Sequence, residues 1–217
     1  MAPRDTERQG DVHFNKLLYS VVALPRSDDL HRLPEALPIP VDDGGCAHLP
    51  GTRVPSVSLL STQGRLIDLA GLPGTSVVYV YPRTGRPDVD PPAGWNEIPG
   101  ARGCTPQSCA FRDHHAELQA LGARVFGLST QTTEYQQEAA ERLHLPFELL
   151  SDSALSFAGR LRLPTFVVDD MTLIKRLTLI VQDGVIVHML YPVFPPDRNP
   201  DDVAAWLRAT RKEASPR

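Results

Sequence analysis

Gly103-Cys104-Thr105-Pro106-Gln107-Ser108-Cys109-Ala110-Phe111-Arg112-Asp113 puts two cysteines at the start of a helix. Thr105 is a hydroxyl residue of the kind that caps a helix, and Pro106 follows with its φ already helical. Helix-compatible sequence continues through Phe111, Leu118 and Leu121, and Gly122 is the stop signal. Cys104 therefore sits beside unpaired backbone N–H groups and the positive end of the helix dipole. Both favour a thiolate, the reactive form of cysteine.

Cys104 and Cys109 are five positions apart. Along a helix that is ~7.5 Å of rise and ~140° of rotation. Their Cα atoms then lie beyond the ~7 Å that a disulfide spans, so bridging them requires the first turns to unwind. Pro106 has no N–H, which leaves fewer backbone bonds to hold that turn. The pair reads as a switch, helical when reduced and locally unfolded when bridged. A thiolate that attacks a peroxide oxygen becomes a sulfenic acid, with which a second thiol condenses. This assigns attack to Cys104 and resolution to Cys109, which lies a turn away from the dipole end. Two other readings are weaker. Buried cysteines without a redox role are not usually placed at an electropositive helix start. A zinc site built from Cys104, Cys109, His114 and His115 would need adjacent histidines to point the same way from one helix, against the tetrahedral geometry zinc wants, so no metal or other cofactor is expected.

On the N-terminal side, residues 83–102 hold four prolines, three glycines and Trp95. A loop this long inside a domain is either functional or an insertion. A wall or lid beside Cys104 and an insertion pinned by Trp95 are both open. Val77-Val78-Tyr79-Val80-Tyr81 precedes it, a run suited to a central strand covered on both faces, and Pro82 ends that strand. Val57–Leu60 and Leu66–Leu69 flank a Thr62–Arg65 turn as a hairpin. Residues 1–50 read as an N-terminal extension that wraps over a domain of residues 51–217. Phe14–Leu24 is an ambiguous strand or helix, and the lone Cys46 reads as incidental.

On the C-terminal side, Arg124–Ser129 and Phe147–Leu150 read as strands, with a polar helix from Thr132 or Thr133 to Leu143 between them. A short helix is expected over Ser153–Leu161, and Pro164 is taken as a loop proline. Leu177–Val181, the Gln182-Asp183-Gly184 turn and Val185–Leu190 form a hairpin. Asp201–Arg211 is an amphipathic terminal helix. The sum is an α/β fold, a central mixed sheet flanked by helices.

The 217 residues carry a net charge of −4, which gives no reason to expect a nucleic-acid or anionic-membrane partner. No apolar run approaches the ~20 residues that span a bilayer. The N-terminus does not read as a secretory signal, and three cysteines do not suggest a disulfide scaffold. A cytoplasmic location is expected.

The stretch from Gly103 to Asp113 resembles the Q-type, bacterioferritin-comigratory-protein-like peroxiredoxins, whose helix reads G-C-T-x-Q-x-C-x-x-R-D. Val77–Pro82, Val125–Thr130 and Phe147–Asp152 are similar to further segments of that family, so the resemblance covers residues 51–210. It implies a thioredoxin-like fold and reduction of hydrogen peroxide and organic hydroperoxides, with electrons from thioredoxin or a similar thiol reductant. A monomer or weak homodimer is expected. It also implies a catalytic arginine, here Arg176 in Arg176-Leu177-Thr178-Leu179-Ile180, whose guanidinium would stabilise charge at the sulfur and on the peroxide. The chain departs from the family's P-x-x-x-T-x-x-C, since Glu97 stands at the proline position and Ala101 at the threonine position. Pro82, Thr84 and Thr105 are the candidates for substrate contact. The rival class is a thioredoxin-fold disulfide reductase or redox-sensing partner-binding protein. Such reductases carry C-x-x-C, and this chain has four residues between its cysteines.

Overall fold

The computed structural model describes residues 29–214; Phe14–Leu24 lies outside them. The chain runs β1 (Ser58–Ser61), β2 (Leu66–Asp68), β3 (Thr75–Val80), α1 (Cys104–Asp113), α2 (His115–Ala120), β4 (Ala123–Ser129), α3 (Thr133–Arg142) and β5 (Glu148–Ser151). It continues with α4 (Ser156–Leu161), β6 (Thr165–Val168), β7 (Met171–Ile174), β8 (Leu177–Gln182), β9 (Val185–Leu190) and α5 (Asn199–Ala214). Seven strands form one mixed sheet in the order β2-β1-β5-β4-β3-β8-β9. β3, β4 and β5 are mutually parallel, and β8 pairs antiparallel with β3.

Side chains alternate across a strand, and β3 uses both faces. Val78 and Val80 pack with Leu128, Phe157 and Leu161 on one side. Val77 and Tyr79, with Tyr81 just past the strand, pack with Phe111, Leu118, Val203 and Leu207 on the other. That double burial is why the run is apolar without alternation. Phe111 fastens the cysteine helix to the sheet. It is fully buried and stacks on Tyr79 with ring centroids 4.4 Å apart. Phe111→Ala is therefore expected to destabilise the fold by about 3–5 kcal/mol in denaturant titration. A loss below about 1 kcal/mol would mean that α1 is anchored elsewhere.

The expected mixed sheet, β1–β2 hairpin, α3 cap and β8–β9 hairpin are all present. Thr132 caps α3, its hydroxyl accepting from the Tyr135 N–H at 3.3 Å. Three details differ. The helix expected to run unbroken to Gly122 divides at His114, which ends α1 and begins α2. The residue capping α1 is Gly103, not Thr105. Gly103 has φ 105°, and a Cβ there would collide with Pro196 and Leu33, so glycine answers both a backbone and a packing constraint. The β6–β7 hairpin was not expected. Its turn residues Asp169 and Asp170 adopt φ of 46° and 60°, a left-handed pair without the glycine that usually announces it. Pro164 lies in the loop just ahead of β6.

Residues 38–50 are mostly exposed and reach the core at two side chains. Cys46 and Leu49 are fully buried among the same side chains as Phe157 and Leu161. Asp43 accepts hydrogen bonds from Lys175 Nζ and the Tyr191 hydroxyl, each at 2.7 Å.

Candidate active site

Cys104 is the first residue of α1, so its sulfur stands at the end where backbone N–H groups lack intrahelical partners. The side chain is 3% exposed. Three groups meet Sγ. Arg176 donates from Nη2 at 3.1 Å, and the Arg83 backbone N–H donates at 3.4 Å. The Ala101 carbonyl oxygen lies at 3.6 Å, where it accepts from the thiol when sulfur holds a proton. The site thus offers two donors to a thiolate and one acceptor to a thiol.

Arg176 sits between β7 and β8 and is 3% exposed. Its guanidinium is held on every side. Nε donates to the Gly100 carbonyl at 3.2 Å, and Nη2 donates to Ala101 at 3.0 Å and Arg102 at 3.2 Å. Nη1 donates to Gln107 Oε1. Gln107 is held in turn, since its Nε2 donates to Asn199 Oδ1 at 3.0 Å, and that oxygen also accepts from Thr178 at 2.7 Å. A planar fork with a fixed donor geometry suits this cage as an ammonium could not.

A pocket with about 20 Å³ of free space opens at Cys104, bounded by Arg83, Thr84, Trp95, Arg102 and Thr105 among others. That space holds about one water-sized group. Pro91 and Pro92 also line it, so the 83–102 loop is a wall of the pocket. Trp95 pins the loop against Ala101 and Leu173. The loop leaves at Arg83 and returns at Gly103, which brings Thr84 to the cysteine despite the distance in sequence. Thr84 and Thr105 both line the pocket, whereas Pro82 is buried and is not among its walls. Glu97 is exposed, and Ala101 contributes its backbone carbonyl.

Cys109 is half-buried one turn further on, with Sγ 3.9 Å from His31 Nδ1. Burial pushes its thiol above the ordinary cysteine value, only partly offset by the nearby Arg112 charge. Burial likewise pushes the Cys46 thiol up to about 12, with the Asp43 and Asp42 charges adding to it. All three cysteines are free. Sequence reasoning missed two contributors. The Arg83 N–H is a backbone group with no side-chain signature. Gln131 reaches Thr84 from across the fold, and nothing in its local sequence marks it.

Comparison with known proteins agrees with this geometry. The Redoxin family profile matches residues 49–207. The chloroplastic peroxiredoxin Q of Sedum lineare is 30% identical over 165 residues, covering 74% of this chain and 78% of its own. The putative peroxiredoxin bcp of Coxiella burnetii is 31% identical over 103 residues, 47% of this chain and 58% of its own. Among solved structures, the peroxidoxin BcpB of Mycobacterium tuberculosis superposes with a TM-score of 0.61 at 25% identity, covering 75% of this chain and 98% of that one. A cysteine-to-serine variant of Xylella fastidiosa PrxQ gives a TM-score of 0.62 at 17% identity, over 76% of this chain and 98% of that one, and speaks for the fold alone. With a cysteine at a helix start, an arginine on its sulfur and a profile match across most of its length, the chain belongs to the Redoxin family, on the peroxiredoxin Q side of it.

Proposed function

We propose that the chain is a thiol-dependent peroxidase in which Cys104 attacks the hydroperoxide and Cys109 resolves the product. The observation that carries the reading is the Arg176 guanidinium at 3.1 Å from Cys104 Sγ, at a helix N-terminus and beside a pocket with room for about one water-sized group. The Cys104 thiolate attacks the terminal oxygen of ROOH, a sulfur–oxygen bond forms and the O–O bond breaks. The leaving RO⁻ takes a proton and departs as ROH, or as water when the substrate is hydrogen peroxide. Arg176 and the Arg83 N–H offset the charge spread over sulfur and the two oxygens. Thr84 takes the place of the threonine missing from the motif, and Thr105 is a second hydroxyl on the pocket wall.

Resolution follows when the Cys109 sulfur displaces hydroxide from the Cys104 sulfenic acid, giving a disulfide and water. Both cysteines lie within continuous α1, so this step requires the helix to open. A thiol reductant such as thioredoxin then restores the dithiol. We propose that it acts as a monomer or a weak homodimer. Three free cysteines suit a reducing compartment such as the cytoplasm, and no helix among the described residues is long and apolar enough to cross a membrane.

Measuring hydrogen peroxide consumption by purified protein with dithiothreitol or thioredoxin tests the reading; no turnover with either overturns it. Cys109→Ser is expected to form a sulfenic acid, trapped by dimedone and seen by mass spectrometry. It should keep turnover with dithiothreitol, because a small thiol reaches the sulfenic acid directly, and lose at least about tenfold with thioredoxin. Unchanged thioredoxin-dependent turnover in this variant would remove the resolving role.

A further inference from the structure

Thr84 is held by one side chain, that of Gln131 in the turn between β4 and α3. Its backbone N–H donates to Gln131 Oε1 at 2.9 Å, and its hydroxyl donates to the same oxygen at 3.0 Å. Gln131 Nε2 donates back to the Thr84 carbonyl at 3.3 Å. The two backbone groups of Thr84 therefore read opposite ends of the amide, which fixes the orientation that an isolated glutamine leaves open. Gln131 is itself secured, its N–H donating to Ser129 Oγ at 3.2 Å and its carbonyl accepting from Ser151 Oγ at 2.7 Å. Thr84 is fully buried and Gln131 is 8% exposed, so water does not compete for these bonds.

A threonine hydroxyl has one proton and two acceptor sites. Because its proton is committed to Gln131 Oε1, Thr84 Oγ1 presents only lone pairs to the pocket. We propose that Gln131 is a positioning residue, which sets Thr84 as an acceptor for the terminal O–H of a hydroperoxide while Arg176 and the Arg83 N–H supply the donors around Cys104. The inference rests on the peroxidase reading and deepens it. It selects peroxides that carry an O–H, and it shows how a threonine far from the cysteine in sequence takes over the missing position.

The experiment compares two reactions of Cys104 in the full chain: oxidation by hydrogen peroxide, followed by stopped flow, and alkylation by iodoacetamide. Gln131→Met is expected to slow oxidation about tenfold, the scale of one well-placed hydrogen bond, and to change alkylation less than about twofold. Gln131→Asn, one methylene too short to reach Thr84, is expected to do the same while keeping a polar group. Thr84→Val should match these losses, and Thr84→Val combined with Gln131→Met should lose no more than either alone. Thr84→Ser should stay near the wild type. A folded Gln131 variant that oxidises at the wild-type rate overturns the proposal, as does a parallel fall in both reactions or additive losses in the double variant. If the wild type itself consumes no peroxide, the peroxidase reading fails first.

Discussion

Cys104→Ser is expected to lower peroxide turnover at least about 10³-fold, because an alcohol at the same place is a far weaker nucleophile than a thiolate. The substitution replaces sulfur by oxygen in a side chain that is already buried, so the unfolding midpoint should move by no more than about 1 kcal/mol. Neither remaining cysteine is suited to substitute. Burial pushes Cys46 up to about 12, and it sits in the core away from the pocket walls. Burial also raises Cys109, by more than the nearby Arg112 lowers it. The check is hydrogen peroxide consumption with dithiothreitol, beside a denaturant titration of the same sample. A Cys104→Ser protein keeping more than about a tenth of wild-type turnover would move the attacking thiol elsewhere and overturn the assignment.

The parts of this site carried by local chemistry were legible in the sequence. A cysteine at a helix start, a second cysteine too far along the same helix to bridge it, and a β-branched central strand each follow from short-range rules. Arg176 was reached through the family resemblance, since an arginine at a strand start looks like any surface arginine until the fold buries it. The capping residue was misread because Thr105-Pro106 carries the usual start chemistry, while the contacts of Pro196 and Leu33 around Gly103 are long-range. Backbone and clamp contributions were not legible for the same reason. The Arg83 N–H and the Gln131 amide reach Cys104 and Thr84 only after a long loop has closed and a distant helix entrance has packed beside it. The loop itself, two-sided in sequence, became readable once Trp95 was seen packed against Ala101 and Leu173.

Arg176→Met is the sharper test of how the cysteine is activated, because it leaves the nucleophile in place. Its expected effect is a fall of about 10²–10³ in the rate of Cys104 oxidation, the range seen when a preorganised electrostatic donor is removed from a buried site. Alkylation by iodoacetamide should fall with it, since the guanidinium acts on the sulfur itself at 3.1 Å. That joint loss separates Arg176 from Gln131, whose variants should slow oxidation alone. Arg176→Lys should recover little. One ammonium cannot reach the carbonyls of Gly100, Ala101 and Arg102, the Gln107 amide and Sγ together, whereas the fork serves all five. Removing the fork also strands buried acceptors, so Arg176→Met should cost stability, on the order of 1–3 kcal/mol or more. Rates are therefore compared at a temperature where the variant remains folded by circular dichroism. If oxidation and alkylation both stay within about threefold of the wild type, the guanidinium holds the loop and takes no part in the chemistry.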